Sequence, residues 1–221
     1  MSWSDILYPG NPARREKVVR LHQELLNSME LNFDATNELI GMLNIHWHCG
    51  LCPIKMKTSD TIRENCDLLL AAMTSIQGEL KAIDEKLRSC LEPDLYRKLH
   101  DFQEMDQSKM KILRTATQVA SVAIGITAAA IIIKVGLSAV ASRVLSNVMM
   151  IVARVGTTLG GAVLGAIAGV GIDLIISAIL GAIERKDLEE KIRELQEIVD
   201  EFKPASKEYS KAIMKVTLLL E

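Results

Sequence analysis

Apolar residues follow three patterns along this chain, and each predicts a different kind of helix. From Ala13 to Asn44 they form two adjacent stripes, Val18–Leu21–Leu25 and Leu26–Met29–Phe33–Ile40–Leu43. That width predicts a bundle helix touching two neighbours rather than a two-stranded seam. Asn11 ahead of Pro12 is a good start for it, a capping oxygen before a residue preset at helical φ. From Thr61 to Leu91 the apolar positions narrow to Ile62, Cys66, Leu69, Met73, Ile76, Leu80, Ile83, Leu87 and Cys90, in alternating steps of four and three. Sustained over about four heptads, this is the pattern of a supercoiled seam. Glu92–Pro93 interrupts it, and a third helix from Asp94, with Tyr96, Leu99, Phe102 and Met105, is expected to run straight on into the apolar centre of the chain. After Ile183 a second seam reads Leu188, Ile192, Leu195, Val199, Phe202, then Tyr209, Ile213, Val216 and Leu220. Ser206 keeps the register between its two parts, and Pro204 is expected to kink the helix. The wide first helix and the break at Pro93 favour the two seams packing on each other within one chain.

Between these helices lies the third pattern. No charged residue occurs from Thr115 to Ile133, and Asp173 is the only one from Val155 to Ile183. No acidic residue separates Asp106 from Asp173, while Lys109, Lys111, Arg114, Lys134, Arg143 and Arg154 punctuate the run. A helix of about 20 residues matches a hydrocarbon core of roughly 30 Å, so 115–133 and 155–183 are candidate spans. The chain then divides into a lead-in at 1–12, a helical bundle or coiled-coil region at 13–108, a membrane region at 109–183 and an amphipathic C-terminal helix at 184–221. Small residues recur at every fourth position of the second candidate. Gly161, Gly165, Gly169 and Asp173 continue one groove of the kind on which helices pack in lipid. A central Asp costs about 2.5–3.5 kcal/mol against roughly 0.3–0.6 returned per Leu, Ile or Val, so this helix alone inserts only marginally. The two halves are therefore expected to support each other as a hairpin, or the groove to pack on a second copy. The competing expectation is a hairpin buried in a water-soluble core by the flanking helices.

Composition narrows the class without adding chemistry. The chain is 49% hydrophobic and only 4% aromatic, which with the long uninterrupted helical patterns makes it all-α. A net charge of −2 gives no footing for nucleic-acid binding. Residues 1–12 lack the basic and apolar regions of a signal peptide. Lys109, Lys111 and Arg114 before the apolar region, and Arg185 and Lys186 after it, place the flanking helices on the cytoplasmic side of a membrane. His46, His48, Cys49 and Cys52 are the types of ligand zinc takes, but four of them crowded into seven residues do not easily close a tetrahedron. The stretch 46–53 reads instead as a loop ended by Gly50 and Pro53, with Trp47 packed nearby. Cys66 and Cys90 lie about 36 Å apart along one helix and read as small core residues in a reducing compartment. No GxxxxGK[ST] loop, HExxH helix or GxSxG elbow occurs, so no catalytic residue, cofactor or small-molecule substrate is assigned.

Four phrases carry a family resemblance: ILYPGNPARREKVVRLHQELL (6–26), TIRENCDLLL (61–70), LEPDLYRKL (91–99) and GIDLIISAILGAIE (171–184). From end to end the chain resembles the vertebrate single-pass membrane and coiled-coil domain-containing protein 3 family. The resemblance implies a membrane protein with coiled coil and one span, and supplies no reaction, substrate or site residue. The function expected is non-enzymatic: a membrane-anchored helical protein, with the lipid bilayer as its main partner. It would self-associate or recruit a coiled-coil partner through the 62–90 and 188–220 seams. The alternative is a conditional membrane inserter whose hairpin stays buried until it meets lipid, in the manner of α-helical pore-forming proteins.

Overall fold

A computed structural model describes residues 11–100, 107–125, 127–139, 141–159, 185–218 and 220. These form seven helices and, among the described residues, no strand. They are α1 (Asn11–Trp47), α2 (Ile62–Cys90), α3 (Pro93–His100), α4 (Gln107–Ile124), α5 (Ala128–Ala139), α6 (Ala141–Thr158) and α7 (Arg185–Leu218). The core follows the sequence pattern closely. Val18, Leu21, Leu25, Met29, Phe33, Ile40 and Leu43 of α1 are buried, as are Ile62, Cys66, Leu69, Met73, Ile76, Ile83 and Leu87 of α2. In α7 the same holds for Ile192, Leu195, Val199, Phe202, Ser206, Tyr209, Ile213 and Val216.

The pairing of the helices differs from expectation. The two seams do not pack chiefly on each other: α7 lies along α1, and α2 lies along α6. Two buried polar pairs select α1 as the partner of α7. Asn32 Nδ2 donates to Ser206 Oγ at 2.8 Å, and Thr36 Oγ1 meets Tyr209 Oη at 3.2 Å. An unpaired polar group in a core costs about 1–3 kcal/mol, so this partner and register suit the four side chains better than one that left them apart, although Asn32 Oδ1 finds no partner among the described residues. Lys203–Glu24 and Thr217–Glu38 extend the same order outward, and the rising numbers on both sides show that α1 and α7 run parallel. Helix α7 continues through Pro204 from Arg185 to Leu218.

A strap of extended chain makes α2 parallel to α1 as well. Asn44 pairs by its side-chain amide with both the N–H and the C=O of Leu51, and Asn37 does the same with Ile54. Seven residues of helix cover about 10.5 Å, and three residues of extended chain cover about 10 Å, so the two grips match. Asn65 of α2 takes Lys57 in the same two-point way. The strap thus descends α1, and α2 starts again near the level of its middle, with a capping box between Thr61 and Glu64. At the far end Lys86 Nζ stands 4.8 Å from the centre of the Trp47 ring.

The candidate span 115–133 is not one helix. Gly125, at φ +67, ends α4 with its N–H bonded to Ser121 O at 3.2 Å, and α5 begins at Ala128. Ala116, Ala120, Ala130, Ile131 and Ile133 are buried in the bundle. Among the described residues no helix is long and apolar enough to cross a membrane. Helix α3 also packs on α4, so the two are not the continuous helix expected. Of the candidate span 155–183, residues 155–158 finish α6 and the part from 160 lies outside the described residues.

Helices α2 and α6 approach closely at Gly156, where an added Cβ would stand 3.0 Å from Cys66 Cβ. Gly156→Leu is therefore expected to cost about 1–3 kcal/mol of stability by overpacking. Gly156→Ala should be far milder, because alanine's better helix propensity offsets about 1 kcal/mol of the clash. Since the opposing atom is a Cβ, Cys66→Ala should not rescue Gly156→Leu, whereas Cys66→Gly should in part. Urea titration of the four proteins checks this.

Candidate functional site

The parallel order of α1, α2 and α7 brings their C-terminal ends to one end of the bundle, and the α4–α5 joint meets them there. Thr127 links the two parts. Its Oγ1 donates to the His46 carbonyl of α1 at 3.2 Å and accepts the Ala130 N–H of α5 at 3.1 Å. One hydroxyl thus satisfies an orphan carbonyl of one helix and an orphan N–H of another. Beyond it α1 ends at His48, whose φ of +55 and N–H bond to Asn44 O turn the chain into the strap.

What this end presents is apolar and cationic. Val122 is 89% exposed and Ile45 68%. Ser121, Ala123, Gly125, Thr127 and Ala128 are also exposed, none of them charged. Along α4 the exposed face continues through Gln118 and Thr115 to Arg114 and Lys111. Of the large exposed apolar side chains among the described residues, Val119, Met214 and Leu218 also sit on helices that finish here, while Met150 lies mid-way along α6. Surface helices normally alternate charge at such positions, so an uncharged exposed turn with cations along one flank points to a contact surface.

The residues singled out for metal chemistry are not gathered. His46 and Cys49 are half-buried, His48 and Cys52 exposed, and among the described residues no three His, Cys, Asp or Glu side chains are grouped to hold a metal ion. Burial first, and Glu79 second, raise the Cys49 thiol, which keeps it protonated and a poor ligand. Cys66 is pushed up to about 12, by burial and then by Asp67, and is a core residue. Trp47 lies half-buried under Lys86. Gly161, Gly165, Gly169 and Asp173 lie outside the described residues. Periodicity does not reveal the strap. Its one signal is that Asn37 and Asn44 are seven residues apart, hence on one face, and neither suits a solvated helix surface.

With the bundle and its exposed end defined, comparison with known proteins adds a family. A family model described as "Protein of unknown function (DUF4533)" matches residues 14–177. The chain belongs to this family. No solved structure matches it. The DUF4533 match runs from the first turns of α1 past the end of α6, so it takes in the strap, the α4–α5 joint and the glycine-rich stretch through Asp173.

Proposed function

We propose that the chain is a non-enzymatic, conditionally membrane-inserting helical bundle, holding its apolar segments against amphipathic helices until it meets lipid. The observation that carries this reading is the uncharged stretch 115–133, bent at Gly125 with Ala116, Ala120, Ala130, Ile131 and Ile133 turned into the bundle. Helices α1, α2 and α7 spend their apolar faces on this chain's own core, which leaves lipid as the partner that competes for the central segments.

The packing of α6 on α7 supports the conditional form over a permanent anchor. Arg154, near the end of α6, pairs with Glu201 of α7 at 2.6 Å. Glu201 lies sixteen residues into α7, so with this pair intact a single crossing between α6 and α7 would force the charged segment from Arg185 to Asp200 back through the bilayer. Two crossings need about 17–20 residues each, more than the 24 residues from 160 to 183 supply. Crossing therefore requires α6 and α7 to part. The ion pair itself, half-exposed, holds them only weakly; the buried Val152, Val155, Phe202 and their neighbours supply the rest.

A covalent bridge tests this. Arg154→Cys and Glu201→Cys would be joined by a short bismaleimide, with Cys49 and Cys52 replaced by serine. Mixed with vesicles, the unbridged protein is expected to become resistant to carbonate washing and the bridged protein to stay washable. Equal resistance in the two would reject the reading.

A further inference from the structure

We infer that the α4 face from Lys111 to Val122, together with the α4–α5 turn and Ile45, is a docking surface for an anionic lipid bilayer, used while the bundle is still closed. The inference rests on the reading above that this chain meets lipid, and adds where it does so and which headgroups it selects. Three features specify the occupant.

The first is charge. No acidic residue lies between Asp106 and Asp173, so α4, α5 and α6 contribute only cations to the surface they form. Lys111, Arg114 and Arg143 are exposed, and Arg154 is paired with Glu201. Anionic headgroups complement both cations of the face, Lys111 and Arg114, and meet no acidic residue on α4.

The second is the order of residues on α4. At about 100° per residue, Lys111, Arg114, Thr115, Gln118, Val119 and Val122 fall within roughly 140° of one another. The cations stand at the start of this face and the valines at its end, beside the uncharged turn. Val122 and Ile45 project from the surface, and exposed aliphatic tips beside cations are how a surface helix enters the headgroup boundary.

The third is the turn itself. Gly125 and Thr127 satisfy the helix ends within the chain, by the Ser121 carbonyl, the His46 carbonyl and the Ala130 N–H. The turn therefore enters the interface without carrying those unpaired backbone groups into it.

The test uses the full-length protein bridged between positions 154 and 201, so that insertion does not contribute. It is sedimented with vesicles of phosphatidylcholine alone or with three-tenths phosphatidylserine. Binding is expected only to the anionic vesicles, and to fall as salt is raised. Near an anionic surface each cation contributes about 1 kcal/mol, so Lys111→Gln with Arg114→Gln should weaken binding about thirtyfold. Val122→Asp should weaken it severalfold at least, while Met150→Asp, at another exposed apolar position away from the turn, should leave it unchanged. All these positions are exposed, and unchanged helical circular dichroism would confirm folding. Binding unaffected by the α4 substitutions, or weakened as much by Met150→Asp, overturns the assignment. If the unbridged protein becomes carbonate-resistant but the bridged one never docks, the surface is wrong and insertion stands. If the bridged protein docks but the unbridged one never resists carbonate, the surface stands and insertion fails.

Discussion

Ile76→Asp is expected to unfold the bundle or bring it to the edge of unfolding. Ile76 is fully buried in α2, the helix that packs along α6. Truncating such a side chain costs about 2–5 kcal/mol, and a buried carboxylate without a partner adds several more. The sum approaches the whole stability of a typical domain, about 5–15 kcal/mol. Leu80, the next position of the same seam, packs against the core but keeps part of its surface in solvent, so Leu80→Asp should cost less, about 1–3 kcal/mol by loss of buried area. Helical circular dichroism and urea midpoints would compare them. A wild-type midpoint in Ile76→Asp would show that α2 does not face a core.

A second large effect is expected from acid, through His22. The side chain is fully buried in α1, and neither ring nitrogen has a hydrogen-bond partner among the described residues. Burial lowers its pKa from 6.5 to about 4, because desolvation penalises the imidazolium. The unfolded chain therefore takes up the proton first. Stability contributed by the neutral ring is whole above pH 6.5 and is lost as pH falls through that value toward 4, by about 3 kcal/mol at most. The diagnostic quantity is the difference between the parent and a variant that lacks the imidazole. His22→Leu should be more stable than the parent at pH 7, and its urea midpoint should decline less between pH 6.5 and 4. Parallel decline in the two proteins would place the acid sensitivity elsewhere.

Helix existence and the core faces were legible in the sequence because both are local. A side chain's face along a helix depends only on its number, so the stripes of α1, the seam of α2 and the Ser206 register of α7 all face the core of the bundle. The exposed turn was partly legible: the absence of charge from Thr115 to Ile133 and the cations before it were visible. Gly125 was harder to read, because glycine inside an apolar run is as common in a membrane helix as at a helix end. Its left-handed φ ends α4 two residues before Thr127, whose hydroxyl bonds to the end of α1 some eighty residues earlier in the chain.

By itself the sequence determined an all-α chain, its amphipathic faces, and a central region rich in apolar residues and cations and free of acid. Tertiary structure decided which face meets which. A periodic stripe states that a helix has a partner but carries no label for it. The labels here are side-chain pairs far apart in the chain: Asn32 with Ser206, Thr36 with Tyr209, and Asn37 and Asn44 with the strap. These put α7 on α1, leave α6 to cover α2, and fold the stretch 115–133 back on itself. The same apolar residues satisfy a bundle core or a bilayer equally well by composition, since both exclude water. Only the three-dimensional arrangement, with its bend at Gly125 and its buried alanines, assigns them to the core in this state.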